Sequence, residues 1–314
     1  MNEVKEKVLI AAPVHRILTD WLDANGFECL VREKITQAEA MVLVKDCIGI
    51  VTSTRLQIDK NLIDATPKLR WVGRMGSGME VIDVRYAEAK GIQCYSSPEG
   101  NSNAVAEHAL GMLLALTKKI VISNNEVKQG LWIRDANRGI ELEGKTIAII
   151  GFGNTGRAFA RKLSVFGMTI LIYDKYNCEQ IPPYVESCND FERIYKEADI
   201  LSFHVPLQED TIHYYNNVFA GRMEKPYILI NTSRGAVVDT DTLLNELRNG
   251  RISGACLDVW EQEPIEKMDN IFKEKLLDIA QLPQVIITPH IAGYSHEAVY
   301  KMSKVLLDKI VMNR

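Results

Sequence analysis

Three segments near the end of the chain each carry one residue suited to proton transfer or anion binding. Arg234 stands in NTSRG, Glu263 in DVWEQEP and His290 in TPHIAG, and each segment follows a short apolar run typical of a buried strand. A guanidinium can bind a carboxylate with two hydrogen bonds and polarise a ketone oxygen. A histidine can take up or release a proton near neutral pH. These residue types therefore predict acid–base chemistry on a small carboxylate-bearing molecule.

A glycine-rich segment upstream has the spacing of a dinucleotide-binding turn. The segment GFGNTG follows the apolar run 146–150 and precedes a helical stretch that ends near Phe166. In such a turn the first glycine permits a tight bend, the second lets the backbone approach a pyrophosphate, and the third lets helix and strand pack closely. The helix N-terminus then faces the phosphate charge. The predicted cofactor contacts in this turn are Gly151, Gly153, Asn154, Thr155 and Gly156.

The acidic residue that ends the next strand bears on the choice of cofactor. Asp174 closes the run 169–174, where a carboxylate can accept hydrogen bonds from both adenosine ribose hydroxyls and repels a 2′-phosphate. Lys175 beside it is a weaker indication for NADP. We therefore expect NAD as the cofactor. The simpler alternative is that the glycines form only a tight strand-to-helix turn and that Asp174 is a solvated loop charge.

Together these segments predict hydride transfer at C2 of a 2-hydroxy acid. That reaction needs a base for the hydroxyl proton, a cation for the carboxylate or carbonyl oxygen, and a dry position beside C4 of a nicotinamide. Taken singly, Arg234 could form a surface ion pair, Glu263 could be a solvated carboxylate, and His290 could be a satisfied histidine beside a proline. Their joint occurrence after three strands favours the catalytic interpretation, because open α/β sheets place ligands at the carboxyl ends of strands.

The pattern of apolar runs predicts an α/β protein with two doubly wound parallel sheets of the Rossmann type. Short buried runs alternate with amphipathic stretches, as in parallel sheets with helical crossovers. A long apolar helix is expected over 103–116, and a C-terminal helix over 295–312 must dock on one of the two lobes. The predicted strands are 8–11, 48–51, 71–73 and 93–95 in the first lobe, and 146–150, 169–174, 200–204, 227–231, 252–257 and 285–288 in the second.

Composition and charge exclude several classes of function. At 314 residues the chain is longer than one core usually grows, so two domains are expected. A formal net charge of −4 offers no basic surface for nucleic acid. The histidines and cysteines form no metal-ligand motif, so no metal is expected. Because the sequence shows no signal-peptide pattern and no apolar run of membrane-spanning length, we expect a cytoplasmic protein without a membrane partner.

The GFGNTG, NTSRG, DVWEQEP and TPHIAG segments resemble, in order and spacing, those of the D-isomer-specific 2-hydroxyacid dehydrogenase family. The resemblance covers nearly the whole chain and assigns the family's catalytic arginine, glutamate and histidine to Arg234, Glu263 and His290. It implies a discontinuous substrate domain, 1–97 with 291–314, and a NAD-binding domain over 98–290. It also implies a homodimer formed through the NAD-binding domain and a small 2-hydroxy or 2-oxo acid as substrate. Since no further domain follows Arg314, feedback regulation through an appended module is not expected.

The resemblance assigns further contacts in both lobes. Asp258 corresponds to the aspartate that binds the nicotinamide amide, and the SFHVPL segment makes His204 a wall of the cofactor site rather than a second base. The VGRMGSG segment resembles a carboxylate-binding loop, since the backbone amides of a glycine-rich turn suit an anion. Beyond the glycine turn, the implied cofactor contacts are His204, Val205, Pro206, Thr211, Thr232, Ser233, Asp258 and Gly293. The implied substrate contacts are Arg74, Ser77, Gly78 and Asn101.

The segment PEGNSNAVAE resembles the phosphoglycerate dehydrogenase branch of the family, which belongs to serine biosynthesis. Two positions depart from that branch. Thr52 stands where an arginine usually faces the substrate phosphate, and Glu80-Val81 replaces the usual Asp-Asn. Arg74, Arg55 or Arg134 of the partner subunit could supply the missing charge.

Two other functions remain open at this point. A glyoxylate, hydroxypyruvate or glycerate reductase would use the same three catalytic residues and differ only in its acid-binding pocket. A NAD(H)-sensing protein that binds partners without turnover would keep the fold and the three residues, as corepressors related to the family do.

Overall fold

The structure, a computed structural model, describes residues 5–176 and 180–312. The chain divides into two units, Met1–Ser102 with Gly293–Arg314 and Asn103–Ala292. Each unit is built on one sheet whose strands pair in parallel, which confirms the predicted α/β class with two doubly wound sheets. The first unit is discontinuous, because the chain returns to it at Gly293.

Strands and helices alternate along most of the chain, as parallel pairing requires a crossover between successive strands. The strands are β1 Glu6–Ala11, β2 Phe27–Val31, β3 Cys47–Thr52, β4 Trp71–Arg74, β5 Gln93–Ser96, β6 Thr146–Ile150, β7 Thr169–Tyr173, β8 Glu186–Ser187, β9 Ile200–Phe203, β10 Tyr227–Asn231, β11 Ile252–Leu257 and β12 Val285–Ile287. The helices are α1 Arg16–Ala24, α2 Gln37–Leu43, α3 Lys60–Asp64, α4 Val84–Ala89, α5 Pro98–Thr117, α6 Ile120–Lys128, α7 Asn154–Leu163, α8 Glu192–Glu197, α9 Asn217–Arg222, α10 Thr240–Arg248, α11 Asn270–Ala280 and α12 His296–Met312. None of the helices in the described ranges has the length and apolar character needed to cross a membrane.

The sheet of the first unit has the strand order β2-β1-β3-β4-β5 and is covered on both faces. Successive side chains of β1 point to opposite faces. Val8 and Ile10 pack in a cluster that includes Leu306 of α12, whereas Leu9 packs with Val72 in the cluster on the other face. The C-terminal helix therefore docks on the first unit and completes its core.

The sheet of the second unit has the order β12-β11-β10-β9-β6-β7-β8. Its chain order reverses between β6 and β9, and ligands of such sheets bind beyond the carboxyl ends of the strands at this switch point. The two strands end at Ile150 and Phe203. Gly151 and His204 begin the turns that follow, and the His204 amide donates to the Ile150 carbonyl at 2.7 Å.

Several element boundaries differ from those predicted. Strands β2 and β8 were not predicted, because β2 is only partly buried and β8 is a two-residue exposed strand, so neither shows a continuous buried run. Helix α5 begins at Pro98 rather than near 103, since the missing N–H of proline costs nothing in a first helical turn. The strands predicted to end at Asp174, His204 and Thr288 each end one residue earlier, because those residues belong to the turns that form the candidate site.

Candidate active site

Glu263 and His290 form a hydrogen-bonded pair in the second unit. His290 Nδ1 lies 2.6 Å from Glu263 Oε2, and the amide of Trp260 donates to Glu263 Oε1 at 2.7 Å. A carboxylate only accepts hydrogen bonds, so Nδ1 carries a hydrogen. In the neutral ring the lone pair is then on Nε2, which has no hydrogen-bond partner in the described part of the chain. Nε2 is therefore the ring atom that can exchange a proton with a substrate.

Arg234 lies in the turn after β10, and Asn231 holds that turn. The Asn231 side chain donates to the Arg234 carbonyl at 3.0 Å and accepts from the amide and hydroxyl of Ser233 at 3.1 and 2.8 Å. Arg234 Nη1 donates to the Ser233 carbonyl at 2.7 Å. A Cβ on Gly235 would lie 1.8 Å from the carbonyl carbon of Trp260. The turn that carries Arg234 is thus in direct backbone contact with the turn that carries Glu263.

Asp258 is 1% exposed and holds the backbone that presents His290. Its carboxylate accepts from the amides of Ile291 and Ala292 at 2.9 and 2.8 Å and from the Thr288 hydroxyl at 2.5 Å. Its carbonyl accepts from the His290 amide at 2.8 Å. These bonds hold His290 at a φ of 54°, a left-handed conformation that non-glycine residues rarely adopt. Asp258 is thus a structural anchor, and its contact with a nicotinamide amide stays a prediction.

The glycine turn has the geometry that dinucleotide binding requires. Gly151 has a φ of 92°, and a Cβ there would lie 2.6 Å from the carbonyl oxygen of His204. A Cβ on Gly156 would lie 2.1 Å from the Gly151 carbonyl oxygen, so α7 packs this closely on the turn only with glycine at that position. The missing Cβ of Gly153 faces open space, and no side chain from the described residues caps α7. Asn154 and the rest of the first helical turn can therefore present backbone amides to an anion.

Asp174 lies directly after β7, beside the glycine turn. Its Oδ2 accepts from the Phe152 amide at 2.6 Å and its Oδ1 from the Tyr176 amide at 2.9 Å. Both oxygens retain the capacity to accept a further hydrogen bond. Lys175 is paired with a different carboxylate, since its Nζ lies 2.6 Å from Asp210 Oδ2, and this hydrogen bond raises the pKa of Lys175. The carboxylate at the end of β7, rather than the neighbouring ammonium, is therefore held at the glycine turn.

His204 is buried at the switch point. Its ring centroid lies 5.3 Å from that of Phe159, and its Nε2 lies 2.8 Å from the Ser202 hydroxyl. Burial lowers the pKa of His204 to about 4, because the protonated ring would lose its hydration. The ring is neutral near pH 7, which supports a role as an uncharged wall rather than as a second base.

We expect His204 to make the stability of the protein depend on pH between about 4 and 6.5. Its pKa in the fold, about 4, is below the value of 6.5 in an exposed histidine, so the unfolded chain takes up the proton first and stability is lost as the pH falls through this window. From pH 7 to pH 5 the loss from this group is roughly 2 kcal/mol. Urea unfolding at both pH values should show a smaller loss in His204→Gln. The same loss in parent and variant would contradict the expectation.

Thr232 presents a buried hydroxyl just after β10, which lies two strands from β6 and the glycine turn in the sheet. Its Oγ1 is buried without a hydrogen-bond partner in the described residues. An unpaired buried hydroxyl is costly, so such an atom suits a polar group of a bound ligand. Together with the open face at Gly153 and the close approach at Gly156, this unpaired atom shows that the residues present fit a dinucleotide.

Other predicted cofactor contacts bond to or pack against neighbouring turns of the second unit. The Thr211 hydroxyl donates to the Pro206 carbonyl at 2.6 Å and accepts from the Gln208 amide at 2.7 Å. A Cβ on Gly151 would lie 3.0 Å from Val205 Cγ1, so Val205 lies against the glycine turn. These contacts shape the wall beside the glycine turn, and direct bonds from Thr211 or Ser233 to a cofactor stay predictions.

In the first unit, Ser77, Asn101 and Gly293 lie together. The Ser77 hydroxyl donates to Asn101 Oδ1 at 3.0 Å, and a Cβ on Gly293 would lie 3.0 Å from Asn101 Nδ2. The turn that leads to Ser77 and Gly78 is shaped by Gly76, which has a φ of 144°. Gly293, predicted as a cofactor contact, is thus a neighbour of a predicted substrate contact and belongs to the first unit.

The first-unit residues considered for phosphate recognition are bonded to the backbone or exposed. Arg74 is 7% exposed, and its Nη1 donates to the Met75 carbonyl. Thr52 is buried, and its hydroxyl donates to the Leu56 carbonyl at 3.2 Å. Arg55 is exposed. The Arg74–Met75 hydrogen bond therefore lies within the turn that carries Arg74.

Sequence reasoning missed a cluster of ionisable side chains beside the turns that carry Arg234 and Glu263. His213, Asp239 and Glu261 place one potential ligand atom each within 4.8 Å of one another. The His213 Nε2 atom lies 2.7 Å from Glu261 Oε2, so a hydrogen bond accounts for the closest contact, and the absence of a metal stays a prediction. The signal that could have indicated this cluster is Glu261, a further carboxylate in the DVWEQEP segment besides Asp258 and Glu263.

Comparisons with known proteins agree over most of the chain. Residues 110–292 match the model of the D-isomer specific 2-hydroxyacid dehydrogenase NAD binding domain. Hydroxypyruvate reductase of Thermotoga maritima is 35% identical over 280 residues, which are 88% of each protein. D-3-phosphoglycerate dehydrogenase of Archaeoglobus fulgidus is 32% identical over 309 residues, which are 97% of this chain and 56% of that enzyme, so the chain spans about half the length of this relative.

A solved structure has the same fold over both units. The crystal structure of D-lactate dehydrogenase from Aquifex aeolicus, complexed with NAD and lactic acid, has a TM-score of 0.84 and 27% identity over 98% of this chain and 95% of that one. The family model lies within the second unit, which holds the glycine turn, Arg234, Glu263 and His290. The chain belongs to the D-isomer specific 2-hydroxyacid dehydrogenase family.

Proposed function

We propose that the protein catalyses NAD-dependent hydride transfer between a nicotinamide and C2 of a small D-2-hydroxy acid. The observation that carries this proposal is the Glu263–His290 pair, whose 2.6 Å hydrogen bond occupies Nδ1 and leaves Nε2 for the substrate. The pair shares its unit with Arg234 and with a glycine turn that fits a dinucleotide.

Arg234, Glu263 and His290 each have a distinct task in this reaction. When bound, the oxidised cofactor would accept the hydride at C4 of its nicotinamide, and the reduced cofactor would supply it. In the oxidative direction neutral His290 takes the substrate hydroxyl proton at Nε2, and Glu263 stabilises the imidazolium that forms. In the reductive direction protonated His290 gives that proton to the ketone oxygen. The Arg234 guanidinium binds the substrate carboxylate and polarises the oxygen on C2.

The residues that would hold the cofactor lie in the turns after the carboxyl ends of the strands, at and beside the switch point between β6 and β9. The glycine turn and the N-terminus of α7 would bind the pyrophosphate, and Asp174 would accept the hydroxyls of the adenosine ribose. The Thr232 hydroxyl, which is buried without a partner in the described residues, would form a hydrogen bond with the cofactor. The remaining wall would consist of His204, Val205 and Pro206.

We expect the parent enzyme to prefer NAD and Asp174→Ser to lose much of that preference. The expected change is roughly 10-fold to 100-fold, because a hydrogen bond to a charged group contributes roughly 1.5–3 kcal/mol. Titration of both variants with NAD and NADP measures the preference. Asp278→Asn is the matched control, since it removes a surface carboxylate of the same unit that pairs with Arg248 and leaves both Asp174 and the Lys175–Asp210 pair in place. Tighter binding of NADP than NAD by the parent would overturn the assignment of Asp174.

We propose 3-phosphoglycerate as the substrate, which makes the protein a phosphoglycerate dehydrogenase of serine biosynthesis. The PEGNSNAVAE segment and the Archaeoglobus relative support this choice. The second candidate is glyoxylate or hydroxypyruvate. It is favoured by the engagement of Arg74 and Thr52 with the backbone, and by the Thermotoga hydroxypyruvate reductase, which matches over 88% of each protein.

Comparison of kcat/KM for several 2-oxo acids with NADH tests the function and the substrate together. We expect 3-phosphohydroxypyruvate to be reduced with the highest kcat/KM among it, hydroxypyruvate, glyoxylate and pyruvate. An unphosphorylated acid with a higher kcat/KM would overturn the substrate and leave the reaction standing. Tight NADH binding without turnover of any acid would favour a NAD(H)-sensing protein.

We propose that the protein forms a homodimer through the second unit. Helix α6 and the segment after it expose large apolar side chains, and Trp132 is 79% exposed. Exposed apolar patches of this kind mark interaction surfaces. Sedimentation velocity should give twice the monomer mass, and a monomer at all concentrations would contradict the proposal. The exposed residues are Ile120, Val121, Val127, Leu131, Trp132, Ile133 and Ile140.

A further inference from the structure

His213, which lies outside the predicted site, joins the two turns that carry Arg234 and Glu263. We propose that His213 acts through Glu261 as a positioning residue for the Glu263–His290 pair. The inference rests on the proposed function and adds to it a residue that makes no contact with the reacting atoms. Residues 232–238 form the arginine turn, and residues 258–263 form the glutamate turn.

The backbone around His213 is bonded to the arginine turn. The His213 amide donates to the Ala236 carbonyl at 2.7 Å, and the Tyr215 amide donates to the Val237 carbonyl at 3.0 Å. The Tyr215 carbonyl in turn accepts from the Asp239 amide at 3.0 Å. His213 has a φ of 49°, a left-handed conformation that surrounding contacts must hold in a non-glycine residue. The segment is therefore fixed against the arginine turn.

The side chain of His213 contacts the glutamate turn. Its Nε2 lies 2.7 Å from Glu261 Oε2, and because the partner is a carboxylate, Nε2 is the donor. The other carboxylate oxygen of Glu261 accepts from the amide and hydroxyl of Thr240 at 2.8 and 2.5 Å. On its other side, His213 Nδ1 lies 3.7 Å from Asp239 Oδ2. Both oxygens of Glu261 are thus hydrogen-bonded, one of them to His213.

The glutamate turn carries this constraint to the catalytic pair. A Cβ on Gly235 would lie 2.4 Å from the Glu261 amide nitrogen, so the two turns have no room to slide past each other. The amide of Trp260, the residue before Glu261, donates to Glu263 Oε1 at 2.7 Å. Glu263 Oε2 then accepts from His290 Nδ1. A displacement of Glu261 therefore moves the group that orients the catalytic imidazole.

Kinetics of three variants test the role of His213. His213→Leu removes the donor, His213→Gln keeps an N–H donor on a flexible side chain, and Lys225→Met breaks a partly buried pair with Asp199 at the amino ends of β9 and β10 in the same unit. We expect His213→Leu to lower the reductive kcat about 10-fold or more, because a misplacement of about 1 Å can cost roughly 100-fold. The Kd of NADH should stay within about twofold, and His213→Gln should recover most of the loss. A kcat for His213→Leu equal to that of Lys225→Met would overturn the proposal.

A double-mutant cycle and a spectroscopic readout separate positioning from general destabilisation. If His213 acts through Glu263, His213→Leu should cost less in a Glu263→Gln background than in the parent, and additive losses would contradict the inference. The NMR signals of the His290 ring should move in His213→Leu and not in Lys225→Met. If the parent reduces no 2-oxo acid, the proposed function fails, and the ring signals alone decide this inference, because unchanged signals in His213→Leu overturn it.

Discussion

His290→Ala should lower the kcat for reduction of the preferred 2-oxo acid by roughly 10²-fold to 10⁴-fold, the usual contribution of a positioned acid or base. The effect is large because Glu263 occupies Nδ1, so Nε2 alone can deliver the proton, and alanine leaves no donor at that point. The Kd of NADH should change little, since the His290 side chain is not among the predicted cofactor contacts. Steady-state kinetics with an independent NADH titration measure both quantities.

The pH dependence of the two directions adds a second test of the same residue. Oxidation requires neutral His290 and reduction requires the protonated ring, so the oxidative rate should rise toward alkaline pH and the reductive rate toward mildly acidic pH. Both limbs should vanish in His290→Ala. His296→Ala is the matched control, because His296 is an exposed histidine at the start of α12 in the first unit and should keep parental kinetics. Near-normal turnover by His290→Ala would show that another group moves the proton.

Arg234→Gln should lower kcat/KM for the 2-oxo acid by roughly 10²-fold to 10³-fold, as removal of a charge-stabilising donor does in other active sites. The guanidinium is anchored by its bond to the Ser233 carbonyl, so its planar fork is already oriented before substrate binds. Arg234→Lys restores the charge without the fork and should recover only part of the loss.

Kinetics against acid concentration decide this prediction. The KM for the acid should rise together with the fall in kcat, because in the proposed mechanism the guanidinium binds the carboxylate in the ground state and polarises the C2 oxygen during transfer. Arg248→Gln, which breaks a surface pair with Asp278 in the same unit, should leave both constants unchanged. An unchanged KM and kcat in Arg234→Gln would mean that a different group binds the carboxylate.

The predictable part of the fold is the part with a local signal. Strands β10 and β11 were predicted with their exact bounds because nearly all of their residues are buried. Strand β2 was not predicted because it is only partly buried, and β8 was not predicted because its two exposed residues show no hydrophobic pattern. Docking of α12 on the first unit could not be derived from its own sequence, since its partners, such as Val8, lie almost the whole chain length away.

The candidate site shows the same division between local and tertiary signals. Arg234, Glu263 and His290 could be predicted because each follows a strand end and has a chemistry suited to the reaction. The bond between His213 and Glu261 spans 48 residues, and nothing in either segment specifies it. Burial of Arg74 against its own turn was equally hidden, because an arginine in a glycine-rich loop has the same sequence pattern whether it faces inward or outward.

Deuterium transfer tests the central claim most directly. The protein is mixed with the preferred 2-oxo acid and NADH deuterated at both C4 positions, and the product is examined by mass spectrometry and chiral chromatography. We predict a D-configured 2-hydroxy acid with one deuterium on C2, formed at similar rates by the parent and by His296→Ala and roughly 10²-fold to 10⁴-fold more slowly by His290→Ala. An L-configured product, a product without deuterium, or no product from a protein that binds NADH would contradict the account.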